Sequence, residues 1–159
     1  MIAALSAPLA QADRLMNQSE DRPITHLVCF KFKAPVTLTD PLSGKTNLYS
    51  DVESVAREVT RVYYGEAKKI AYLSNFTGGT NNSQEGFPLG YDRCFSMQFQ
   101  NKAARDYFVG ADHQHPFDIH HDAFKSFVGP AIKGDSTATP PFNGGLFVYD
   151  FEAAHPFHR

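Results

Sequence analysis

The side chains of this chain best suited to moving protons crowd into one short stretch. Tyr107, His113, His115, Asp118, His120 and His121 fall within 15 residues and include four of the chain's seven histidines. An imidazole with an unperturbed pKa near 6.5 gives and takes protons around neutrality, a role that contributes about 10²–10⁴-fold in rate. His113 is the candidate for that role, and Tyr107, six residues earlier, would orient it or polarise a carbonyl. The residue types also fit a plainer reading, in which His113 caps or packs at a helix entrance and Tyr107 is a helix aromatic with a bonded hydroxyl.

The same cluster is the densest set of metal-ligand types in the chain, and His with carboxylate suits zinc, iron or copper. It contains no H-E-x-x-H or comparable spacing, so no metal is expected and the extra histidines read as a solvated, partly pocket-lining helix face. On a helix starting at Pro116, Phe117 and His121 share a side with Phe124 and Val128, which makes Phe117 and His121 candidates for substrate contact. Two further residues stand out against apolar surroundings. His26 alternates in register with Val28, Phe30 and Phe32, and Arg93 with Phe95, Met97 and Phe99. Each is either a satisfied structural residue, Arg93 by reaching solvent at a sheet edge, or a ligand-binding group, with Phe30 and Phe95 shaping the space beside it.

The elements that must position these residues follow from periodicity. Ile24 to Lys33 is a strand, mixing β-branched and aromatic residues and ending in clean alternation. A turn-rich connection through Pro35, Asp40, Pro41 and Gly44 leads to a helix in which Val52, Val55, Ala56, Val59, Val62 and Tyr63 recur at three- and four-residue steps, capped by Ser50 or Asp51 and stopped by Gly65. Lys69 to Phe76 reads as a second strand, Thr77 to Leu89 as a long loop, and Gly90 to Gln100 as a third strand. Asn101 caps a short helix to about Val109, Pro116 opens another to about Val128, and Leu146 to Glu152 is the last strand after a Gly/Pro/Thr loop. The order β-α-β-β-α-β is that of a ferredoxin-like α+β fold with a four-stranded antiparallel sheet, one face covered by helices. Phe30, Phe32, Phe95, Phe99 and Phe147 are too many for one covered face, so a second copy is expected on the other.

At 159 residues, 42% hydrophobic with 14 Phe and 7 Tyr, the chain is long enough for one domain with an aromatic core. Residues 24–152 are expected to form that domain, with a flexible extension at 1–23 and a tail at 153–159. A net charge of −2 with scattered Lys and Arg offers no field for a phosphate backbone, so nucleic acid is not an expected partner. No apolar run approaches the ~18 residues of a membrane span. Cys29 and Cys94 each lie in an apolar segment and read as buried core thiols, which suits a reducing, cytoplasmic setting. The first twelve residues end in the A-x-A-like Ala10-Gln11-Ala12 but lack a basic start and are broken by Ser6 and Pro8, so secretion is the lesser alternative. Asn81-Asn82-Ser83 satisfies the N-glycosylation pattern, which carries meaning only in a secreted chain.

Taken together, His26-Leu27-Val28-Cys29-Phe30-Lys31-Phe32-Lys33, Gly90-Tyr91-Asp92, Tyr107 through Asp112-His113-Gln114, and Leu146-Phe147-Val148-Tyr149-Asp150-Phe151-Glu152 resemble the stress-responsive dimeric α/β-barrel proteins in order and approximate spacing. The resemblance covers Thr25 to Glu152. It implies a homodimeric α/β barrel and, through the plant polyketide cyclases of that family, cofactor-independent acid–base catalysis by Tyr107 and His113 with His26 as a further pocket histidine. The chain departs from the family at Gly110-Ala111, around His115-Pro116, and in a longer loop after Gly129.

The function expected from residues and resemblance is a cofactor-independent lyase, cyclase or isomerase acting on a small apolar carbonyl compound such as a polyketide. His113 and Tyr107 would be catalytic; His26, Arg93, Phe30, Phe95, Phe117 and His121 would bind substrate. The alternatives are a non-catalytic dimeric stress-response or ligand-binding protein, and a metal- or oxygen-dependent oxidase on the same fold.

Overall fold

The structure, a computed structural model, describes residues 22–85, 89–110, 118–139 and 141–152. The elements run β1 (Ile24–Phe30), β2 (Val36–Thr39), β3 (Thr46–Tyr49), α1 (Val52–Ala67), β4 (Leu73–Thr80), β5 (Arg93–Phe99), α2 (Lys102–Val109), α3 (Ile119–Val128), a 3₁₀ turn (Gly129–Ala131) and β6 (Leu146–Glu152). Four strands form one antiparallel sheet in the order β4-β5-β1-β6. This is the ferredoxin-like α+β fold expected from the sequence. Its crossovers place the first and third strands of the sheet, β1 and β5, at the centre.

Register sorts the side chains into two faces. His26 pairs with Met97 and Asp150, Val28 with Phe95 and Val148, and Phe30 with Arg93 and Leu146. This set faces α1, α2 and α3, and there Phe32, Phe95, Met97 and Phe99 are sealed against Val55, Val59, Val62 and Tyr63. Each large buried apolar side chain contributes about 1.5–3 kcal/mol. The opposite face carries Leu27, Cys29, Cys94 and Ser96, with Phe147, Tyr149 and Phe151 along edge strand β6. Phe147, Tyr149 and Phe151 are 41%, 56% and 45% exposed, too apolar a strip for a sheet edge in water. The aromatic excess is therefore apportioned differently from expectation. Phe30, Phe32, Phe95 and Phe99 all fit beneath the helices, and among the described residues the exposed aromatic rings are those of β6.

Several local readings change. Cys29 and Cys94 are cross-strand partners joined by a disulfide that closes 65 residues of sequence, not separate core thiols. Cross-linking a loop of that length restricts the unfolded chain by about 4 kcal/mol in the chain-entropy description. Sequence placed them in separate apolar strands, and only the pairing of β1 with β5 makes them neighbours. The bond also removes the ground on which a reducing compartment rested.

The connection before α1 holds a hairpin of its own, β2 with β3. Its turn is tied by Asp40, whose carboxylate accepts from the backbone N–H of Leu42, from Ser43 Oγ and from Arg61. α1 is capped by Asp51 and passes through Gly65 to end at Ala67, because packing outweighs the ~1 kcal/mol cost of an interior glycine. β4 starts at Leu73, beyond Lys69, and runs through Gly78 and Gly79 to Thr80 after a bulge between Ser74 and Thr77. Gly78 is required there, since a Cβ would lie 2.3 Å from the Phe95 ring and 2.7 Å from Cys94 O. β5 begins at Arg93, three residues after Gly90. α3 begins at Ile119 with Asp118 as its cap, later than the Pro116 start that proline chemistry suggested. The expected extension, up to residue 21, and the expected tail lie outside the described residues.

Candidate functional site

A cavity of about 370 Å³ lies between the helix-covered face of the sheet and helices α2 and α3. Its floor is His26, Val28 and Phe30 of β1 with Leu146 and Val148 of β6; its roof is Phe108 of α2 with His121, Phe124 and Val128 of α3. Tyr63 closes one side and Lys125 stands on the lining of another. The size and the mostly apolar walls suit a small molecule, and the few polar groups would set its orientation.

Two histidines meet in this cavity in unlike environments. His26 is 5% exposed, and its Nδ1 lies 2.6 Å from Asp150 Oδ1, across the β1–β6 ladder. Because an ionised carboxylate only accepts, Nδ1 is the donor in this bond. The other oxygen of Asp150 accepts from Arg105 of α2. Burial works against ionisation of Asp150, but the hydrogen bonds and charges of His26 and Arg105 hold its carboxyl below the usual carboxylate range. The ring of His26 is boxed edge-on by Phe99 and Phe108, each 6.1 Å away between centroids. Asp150 thus fixes the tautomer of His26 and places a negative charge where an imidazolium would form.

His121 is held differently. Its ring stacks on Phe108 at 3.8 Å, and its Nδ1 donates to Phe108 O at 2.6 Å. Burial pushes its pKa down to about 4, against the raising effect of that backbone bond. His121 is therefore a neutral ring at pH 7 whose Nε2 accepts and does not hold a proton. Its position depends on Asp118, whose Oδ1 accepts from the backbone N–H of His120 and His121 at the start of α3. Tyr72 donates to the other oxygen of Asp118 at 2.6 Å.

The remaining sequence candidates scatter around this centre. Phe30 lines the cavity, whereas Phe95 is fully buried beneath Tyr63 and does not. Arg93 is the first residue of β5, opposite Phe30 in the ladder; it is 7% exposed and pairs with Glu53 of α1 at 3.0 Å. It is a buried, paired charge away from the cavity and does not reach solvent at an edge. Tyr107 stands against Tyr72, 5.7 Å between ring centroids; burial and the charge of Asp118 push its hydroxyl up from the ordinary tyrosine range, and it is not part of the cavity wall. His120 turns away from the cavity that His121 enters and bonds Glu66 of α1 at 2.8 Å. His113 and Phe117 lie outside the described residues. Among the described residues, no three His, Cys, Asp or Glu side chains come together to hold a metal ion.

Sequence reasoning missed Asp150, Arg105 and Phe108. Asp150 left a signal, because it interrupts the apolar parity of Leu146 and Val148 on β6 just as His26 interrupts that of Val28 and Phe30. Arg105 left none, since charges on a short helix are ordinary.

Comparison with known proteins agrees with this architecture. None of the curated proteins matches the chain. Among solved structures, a dimeric ferredoxin-like protein of unknown function from Jannaschia sp. CCS1 is 21% identical over 82% of this chain and 99% of its own, with a TM-score of 0.53. A Dabb family protein with a ferredoxin-like fold from Mesorhizobium loti is 17% identical, covering 84% and 99%, with a TM-score of 0.51. Hydroxynitrile lyase from Passiflora edulis is 14% identical, covering 86% and 98%, with a TM-score of 0.52. At these identities the likeness is one of fold. The model of the Dabb family, the stress responsive A/B barrel domain, matches residues 24–153, and the chain belongs to that family.

Proposed function

We propose that the chain is a cofactor-independent lyase, cyclase or isomerase that moves a proton on a small apolar carbonyl compound, such as a polyketide, inside each subunit. The observation that carries this reading is the pair of histidines in one apolar cavity, His26 bonded to Asp150 and His121 to Phe108 O. His26 Nε2 takes the proton from a hydroxyl or from the carbon beside a carbonyl, and the Asp150 carboxylate neutralises the imidazolium that forms. His121 Nε2 accepts a hydrogen bond from the substrate and orients it, while Phe30, Phe108 and Phe124 exclude water. His113 was the proton carrier expected from sequence, with Tyr107; the described geometry supports His26 in that role. A hydroxynitrile lyase among the fold neighbours supports the lyase class. The dimers among those neighbours and the bare aromatic strip of β6 support a homodimer joined through the open face of the sheet.

The test is product analysis with a panel of cyanohydrin, β-keto and polyketide-like substrates on the intact protein, followed by His26→Gln and His121→Phe. Turnover lowered about 10²–10⁴-fold by His26→Gln, with the fold retained, is the expected result. Turnover at the parent's rate in both variants removes the assignment. Tight binding without turnover of any substrate favours the non-catalytic ligand-binding reading, which the apolar cavity also serves.

A further inference from the structure

We propose that Asn81 is a site of N-linked glycosylation, carried by a chain that matures in an oxidising secretory compartment. Two independent observations meet here, one at the side chain and one in the middle of the sheet.

Among the described residues two acceptor patterns occur, Asn75-Phe76-Thr77 and Asn81-Asn82-Ser83, and the fold treats them oppositely. Asn75 occupies the bulge of β4 at φ 48°. Its Nδ2 donates to Gln98 Oε1 at 2.5 Å, and Thr77 is paired with Ser96 in the sheet. Asn75 and Thr77 are exposed, but the Asn75 amide is engaged by the Gln98 side chain and the Thr77 backbone is held in the ladder, so a transferase would have to release both. Asn81 follows the last residue of β4, and Asn81, Asn82 and Ser83 are all exposed. The Asn81 Oδ1 accepts from the Ser83 backbone N–H at 3.0 Å, which draws the acceptor amide and the hydroxyl-bearing residue together. Two residues earlier the strand is open as well, for a Cβ on Gly79 would meet nothing within 4 Å. Asn81 also lies at the β4 edge of the sheet, across from the aromatic strip of β6.

The second observation is the Cys29–Cys94 disulfide. Such bonds form and persist in the compartments where secreted proteins fold, and are rare where thiols are kept reduced. Asparagine is glycosylated in the same setting. In the transfer, the bond between the sugar's anomeric carbon and the pyrophosphate of a lipid-linked oligosaccharide breaks. A carbon–nitrogen bond to Asn81 Nδ2 forms, that nitrogen gives up one proton, and the lipid pyrophosphate leaves with the electron pair.

The experiment is expression of the full chain with its own N-terminus in yeast and plant cells, with recovery from medium and lysate. Peptide-N-glycosidase F treatment in ¹⁸O-water and peptide mass spectrometry then read each acceptor separately, including Asn17-Gln18-Ser19. The expected result is isotope-labelled aspartate at position 81 and none at position 75. Asn81→Gln and Ser83→Ala should abolish the label and Asn75→Gln should leave it. Asn81 unlabelled in both fractions and both hosts, or label at position 75 in its place, overturns the proposal, whether or not Cys29 and Cys94 are found bonded.

Discussion

Two imidazoles in one cavity acquire different chemistry from their Nδ1 partners. His26 donates to a carboxylate and His121 to a peptide carbonyl, so only His26 has a full negative charge beside it. For His121 the consequence can be measured. Its folded pKa of about 4 lies below the ~6.5 of an unfolded histidine, so the unfolded chain takes up this proton first as pH falls. The stability it contributes is complete above about pH 6.5 and is lost progressively as pH drops toward 4. We expect an NMR titration of the His121 ring to show a midpoint near 4. Urea midpoints of the parent should fall over that window more steeply than those of His121→Phe, and identical pH profiles would refute the assignment. None of this was legible beforehand, because a histidine's pKa is set by what surrounds it, and His121 differs from His120 only in the side of α3 it occupies.

Among the elements, α3 is the one whose placement matters most for the site, and its start is fixed by tertiary contact. Sequence rules favoured Pro116 as an opening residue. Asp118 serves instead, because its carboxylate satisfies two helix N–H groups and the Tyr72 hydroxyl together. Asp118→Ala should cost about 1–2 kcal/mol as a lost cap, with a further penalty from the orphaned hydroxyl of Tyr72. In a double-mutant cycle with Tyr72→Phe, urea unfolding should show a coupling of about 0.5–3 kcal/mol. Additive losses would mean that the two side chains do not act as one latch. The other elements were legible to varying degrees. α1 and β5 announced themselves by strong periodicity, while the β2–β3 hairpin is too short and polar to stand out from a loop, and Gly65 looked like a stop because sequence does not reveal the packing that carries α1 past it.

At the scale of the molecule, the sheet has one face covered by three helices and another whose edge strand is a run of rings. Phe147 stacks with Tyr149 at 6.4 Å between centroids, and Tyr149 meets Phe151 at 5.9 Å. If this strip is where two copies meet, a charge in its centre should split them. Tyr149→Lys is expected to sediment as a monomer at concentrations where the parent is a dimer, with its helical content unchanged. A dimer that survives Tyr149→Lys would place the interface elsewhere.

The alternation of β1 and β5, the helical period of α1 and the order β-α-β-β-α-β were legible by themselves and pointed to the fold class, since burial demands a period of two in strands and 3.6 in helices. They also singled out His26 as a polar group on an apolar face. Only the tertiary structure decided what His26 bonds to, which of two adjacent histidines enters the cavity, and that Cys29 and Cys94 are partners. Those outcomes depend on strand order and register, which bring together residues 124 and 65 positions apart, and no local pattern encodes a pairing at that separation.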